Sequence, residues 1–160
     1  MTSRVQQHLR LFALGVVALI LGGIPLPFVL DVFRPEFLLL LVLWMVLYAE
    51  SHSVLTIAWL AGLLLDAFHG SLLGENALAF MLISYIVRHY YQRIRAFPPL
   101  HQNIVILILL IFEELTVFLI DGLTGRPLTH WARWLETLAS AVLWQPACWY
   151  IPRWIKRPML

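Results

Sequence analysis

Charge is what this chain has least of. Only 12% of its 160 residues are Asp, Glu, Lys or Arg and 61% are apolar, with a mean hydropathy of +0.83. A soluble domain carries about 25% charged residues and is about half apolar. So little polar side chain cannot cover a water-facing surface, which excludes a soluble globular protein and points to a polytopic membrane protein. The single cysteine, Cys148, excludes an internal disulfide and a thiolate metal cluster. The six histidines, at 8, 52, 69, 89, 101 and 130, include no i, i+4 pair, the spacing of a helical zinc site. No glycine-rich phosphate loop and no Ser/His/Asp or Cys/His arrangement stands out. The length fits one transmembrane domain over 1–160, without a soluble domain beside it.

What is present is a series of apolar runs separated by polar breaks. The chain is expected to form six helices, at about 9–24, 35–48, 54–68, 72–91, 101–120 and 130–151. Gly22-Gly23 and the prolines at 25 and 27 end the first. Pro35 suits the first turn of the second, where its missing N–H costs nothing. Ser51 or Ser53 is available to cap the third and Thr129 the sixth. Asp121-Gly122 is expected to close the fifth. A positive start followed by an apolar run also resembles a signal peptide, but no small-x-small cleavage site comes after it, so an uncleaved first helix is expected. Between charges, 37–49 spans 13 residues and 76–87 spans 12, against about 20 for a full crossing. These helices must carry charged residues near their ends or on protein-facing sides, or be re-entrant. Six spans is the reading and five the alternative.

Charge placement tests the count. With six spans and both termini inside, the inner segments hold Arg4, Arg10, Arg88, Arg93, Arg95, Arg153, Lys156 and Arg157. The outer segments hold Arg34, Arg126 and Arg133, which completes the eleven basic residues. An excess of Lys and Arg on cytoplasmic loops is what orients membrane proteins. Trp and Tyr at both ends of the sixth helix suit the membrane interfaces. The basic clusters at 88–95 and 153–157 therefore read as lipid-facing and topology-setting, and nucleic acid is not expected as a partner.

The candidate site residues cluster between the third and fourth helices. The stretch from Asp66 to Asn76 holds two carboxylates, a histidine and two glycines. Ionisable residues at such a place are costly in lipid and face protein or water. Asp66 is expected to act as a structural or partner-binding node, with Gly70 and Gly74 shaping the turn. Glu75 and His69 are expected to be solvated or at headgroup level. Arg34, next to Pro35 at the outer start of the second helix, is placed to pair with Asp31, Glu36 or Asp66, or with lipid phosphate. Glu113-Glu114 is the pattern most suggestive of an enzyme, since some intramembrane proteases use such a pair. The arginine that should come after it is absent, as Leu115 to Phe118 stand there. Consecutive helical residues point about 100° apart, so one glutamate at most is expected to face the bundle centre. A buried polar contact, or a partner contact within the membrane, is the reading for Glu113 and Glu114. No catalytic residue, metal or cofactor is expected.

Phe33-Arg34-Pro35-Glu36-Phe37 opening a helix, then Gly62-Leu-Leu-Leu-Asp66, Gly70-Ser-Leu-Leu-Gly74 and Ala77-Leu78, resembles the MreD family of bacterial rod shape-determining inner-membrane proteins. Val142-Leu-Trp144, Pro146 and the basic tail fit as well. The resemblance implies a non-enzymatic scaffold or regulator of the cell-elongation complex, supporting lateral peptidoglycan synthesis. It implies MreC as a direct partner, with MreB, RodA and its transpeptidase partner contacted directly or indirectly. It also implies an all-α six-helix bundle similar to the substrate-binding component of energy-coupling-factor transporters. A vitamin-type substrate-binding subunit of a transporter is the alternative function. Homo-oligomerisation is compatible with either.

Overall fold

The computed structural model describes residues 2–23, 35–48, 53–125 and 132–156. Among them are six α-helices and no strand: α1 (Thr2–Gly23), α2 (Phe37–Tyr48), α3 (Val54–His69), α4 (Glu75–Ala96), α5 (Pro99–Thr124) and α6 (Ala132–Lys156). Of these, α5 is long and apolar enough to cross a bilayer by length and composition. At 26 residues it measures about 39 Å. The apolar part of α1 and the whole of α2 and α3 are shorter.

Several helix ends differ from the sequence expectation, each for a local reason. The second helix begins at Phe37. Pro35 stands just outside it, and Glu36 supplies the carbonyl that accepts from the Leu40 N–H at 3.0 Å. The fourth begins at Glu75 because residues 70–74 are consumed by a turn, and it continues to Ala96 through the helix-favouring Arg93 and Arg95. Pro98 then stops it, and the Pro98 carbonyl takes the Gln102 N–H at 3.0 Å to start α5. Asp121 does not close α5, which runs on to a left-handed Gly125. α6 continues through Pro146 and Pro152, each of which removes a backbone donor from the helix. Ser53 stands at the N-cap position of α3 without a side-chain capping bond. Ser51 and Thr129 lie outside the described residues.

α2 is the axis of the bundle. Its run FLLLLVLWMVLY is apolar on every side, and it is buried on every side because α1, α3, α4 and α6 all pack against it. The other helices bury one stripe each and expose the rest, so the bundle exterior carries Phe12, Ile20, Leu64, Leu119 and Val142. In water such a surface would be an aggregation liability; against lipid it carries no penalty.

α3 and α4 form the most extensive helix pair. Gly62 makes their close approach possible. A Cβ on Gly62 would fall 2.7 Å from the Asn76 carbonyl oxygen and closer still to the Ala77 backbone. Those atoms are backbone and cannot rotate away.

Gly62→Ala is therefore expected to destabilise the purified protein by about 1–3 kcal/mol, an overpacking cost that exceeds the gain of about 1 kcal/mol in helix propensity. Gly15→Ala, whose Cβ would meet only Leu41 at 3.9 Å, should be neutral or stabilising. Thermal unfolding in detergent checks the opposite signs.

Candidate functional site

The end of α3 is shaped by two glycines in the turn beyond it. Gly70 and Gly74 both have positive φ, 65° and 106°, a region that side chains with a Cβ resist. Between them the chain reverses in five residues and presents its N–H groups to Asp66.

Asp66 is fully buried and serves two helices at once. Its main-chain oxygen accepts from the N–H groups of Gly70 and Ser71, closing α3. Its carboxylate opens α4. Oδ2 accepts from the Gly74 N–H at 2.8 Å. Oδ1 accepts from the Asn76 N–H at 3.0 Å, from Asn76 Nδ2 at 2.8 Å and from Ser71 Oγ at 2.9 Å. Gly74 occupies the N-cap position of α4 and has no side chain to cap with. Asp66 supplies the missing cap from the preceding helix, with its negative charge at the positive end of the α4 dipole. Ser71 and Asn76 were not among the expected site residues. The signal was a hydroxyl within the glycine turn and a carboxamide just after it.

Around this cap lies a cavity of about 370 Å³ formed by the ends of five helices. Gly22 comes from α1, Glu36 from the start of α2, His69 from α3, Glu75 from α4 and Glu136 from α6. The start of α2 is tied to α6 through the Glu36 N–H, which donates to Ser140 Oγ at 2.9 Å, while that hydroxyl donates to the Glu136 carbonyl at 2.9 Å. Pro35 forms part of the wall. Glu75 corrects the expectation of a solvated residue: it is only 3% exposed, because the Asp66 cap draws the first turn of α4 inward. His69 is exposed, as expected. Arg34 and Asp31 lie outside the described residues.

Glu113 and Glu114 are both buried, at 2% and 4% exposure, where one at most was expected to face the bundle centre. α5 packs against α4 and α6, so two directions about 100° apart both meet protein. Asp121, seven residues after Glu114 and on the same stripe, is buried as well. Among the described residues, no group of three or more His, Cys, Asp or Glu side chains is placed to hold a metal ion. The arrangement at Asp66 fixes a surface; its carboxylate is committed to donors within the hairpin.

Asp66→Asn puts an amide donor where donors already converge and removes a charge-assisted acceptor. A loss of about 2–4 kcal/mol is expected, against about 1 kcal/mol for Ser71→Ala, which removes the short bond to Asp66 Oδ1 and a long one from Asn76 Nδ2 at 3.4 Å. Denaturation midpoints in detergent would show this order, and equal small losses would mean that the hairpin is held by packing alone.

The chain resembles known proteins along almost its whole length. The family profile described as rod shape-determining protein MreD matches residues 2–152. The rod shape-determining protein MreD of Haemophilus influenzae is 27% identical over 156 residues, covering 98% of this chain and 96% of the relative. No solved structure matches. An all-helical bundle with a carboxylate-capped hairpin, matched by that profile from the start of α1 into the last turns of α6, belongs to the MreD family of membrane proteins that determine rod shape.

Proposed function

We propose that this protein is a six-span, non-enzymatic scaffold or regulator of the bacterial elongation complex, in the inner membrane with both termini cytoplasmic, and that it seats MreC directly. One observation carries the reading. An apolar groove of about 310 Å³ runs between α1, α2 and α6, walled by Val17, Leu41, Pro146 and Tyr150. Ala18 and Phe37 line both this groove and the carboxylate-rimmed cavity at the Asp66 end. A lipid-facing seat that leads to a polar chamber suits a partner with one membrane helix and an outer segment, which is the form of MreC. In lipid, association of helices rests on such shape fit rather than on apolarity.

In this orientation Asp66, Gly70 and Gly74 hold the outer hairpin, and Pro35 stands in the wall of the cavity beside it. Glu113 and Glu114 act as intramembrane polar contacts that fix α5. The glycosyltransferase RodA, its transpeptidase partner and the MreB filament are then reached through MreC or through the remaining helix faces. The cavity volume lies within the range of small-molecule sites, about 300–1,000 Å³, and this supports the alternative of a transporter-type binding subunit.

Val17→Trp, which fills the groove from a position already half-exposed, is expected to reduce co-purification of MreC at least ten-fold and to round the cells at unchanged protein level. Undiminished MreC recovery from this variant would remove the groove as the seat. Depleted cells that kept their rods, with a small molecule retained by the purified protein, would favour the transporter reading.

A further inference from the structure

The bundle is polarised by charge. Glu36, Asp66, Glu75 and Glu136 stand at the cavity end, and Asp121 near the end of α5 lies on that side too. The opposite end, where α2 and α4 finish and α5 begins, carries Arg88, Arg93 and Arg95 with His89 and His101. Among the described residues none of these three guanidinium groups meets a carboxylate. Two of them instead lie over aromatic rings: Arg88 is 5.1 Å from the centre of Tyr91, and Arg95 is 5.4 Å from the centre of Tyr48.

The second contact joins three helices. Tyr48 is the last residue of α2, Arg95 lies in the last turn of α4, and Gln102 of α5 donates to the Tyr48 hydroxyl at 3.0 Å. Arg88, Tyr91 and Arg95 are spaced at i, i+3 and i+7, so they form one stripe about 10 Å long on α4. A ring under a guanidinium restrains it without neutralising its charge and leaves its N–H donors open to an anion.

The depth of Arg88 indicates the partner. The uncharged part of α4 before it, residues 76–87, is 12 residues or about 18 Å long, well short of the hydrocarbon thickness of about 30 Å. An uncharged stretch this short places the first arginine of the helix at or inside the headgroup boundary, where the bilayer thins or the side chain reaches outward. The anion within reach there is a lipid phosphate.

We infer that the Arg88–Tyr91–Arg95 stripe, with Tyr48 beneath Arg95, is a binding site for the phosphate groups of anionic phospholipids. The inference requires only that this end of the bundle meets a headgroup layer, so it stands apart from the seating of MreC. The lipid would bridge the ends of α2, α4 and α5 and fix how deeply the short helices sit.

The test uses the full chain in mixed micelles of phosphatidylglycerol and phosphatidylcholine, with retained lipids counted by native mass spectrometry. The wild type is expected to retain phosphatidylglycerol in preference to phosphatidylcholine. Arg88→Gln and Arg95→Gln should each reduce that preference about five-fold, the worth of one arginine at an anionic surface. Tyr48→Leu keeps every charge but removes the ring that seats Arg95, and it should reduce the preference as well. Thermal unfolding in phosphatidylcholine alone verifies that each variant is folded. Should one fail to fold, Arg88→Lys and Arg95→Lys, which keep the charge but lose the planar fork, should lower the preference in the same direction. Unchanged preference in the arginine variants would overturn the site, and unchanged preference in Tyr48→Leu would reduce it to diffuse attraction without a seat.

Discussion

Everything at the cavity end depends on one carboxylate. An α-helix that starts in a membrane protein leaves N–H groups that lipid cannot satisfy. The N-cap residue of α4 is glycine, which has nothing to offer them. Asp66 meets two of those donors from the neighbouring helix, and adds the Ser71 hydroxyl and the Asn76 amide. Gly62, one turn before Asp66, lets the α4 backbone approach closely enough for this to happen. The cap and the glycine contact are thus two halves of one constraint, and they set the positions of His69, Ser71, Glu75 and Asn76 on the cavity wall.

The same constraint governs the other buried acids. Burying a polar or charged group in a low-dielectric interior is costly unless it is satisfied. Asp66 is satisfied within a single hairpin. Glu113, Glu114 and Asp121 are buried on a helix wedged between α4 and α6, which turns what would be a liability in lipid into contact with protein. α5, long and apolar enough to cross a bilayer, keeps these carboxylates on its protein-facing sides.

The two ends of the bundle consequently differ in chemistry. One gathers carboxylates around a chamber that opens beside an apolar groove. The other gathers arginines over tyrosine rings. The proposed partner seat and the proposed lipid site thus fall at ends of opposite charge. α6, continuous through two prolines, forms one wall of the groove and carries the Ser140 hydroxyl that ties it to α2.

Much of this was legible in the sequence. Composition alone required a helical membrane protein, because 61% apolar residues cannot be hidden in 160. The ordered motifs around Pro35 and from Gly62 to Gly74 indicated the family, and the left-handed turn was implied by glycines that tolerate positive φ. The sequence could not rank helices that are apolar all round. That α2 lies at the centre, that both Glu113 and Glu114 face inward, and that Glu75 turns into a cavity were decided by which neighbours close on each side. The role of Asn76 was hidden for the same reason: a carboxamide ten residues from an aspartate becomes its partner only when a turn brings the two ends together. Local residue chemistry determined where the chain could turn and what it could dissolve in; the packing of helices against one another decided which of its few polar groups would meet.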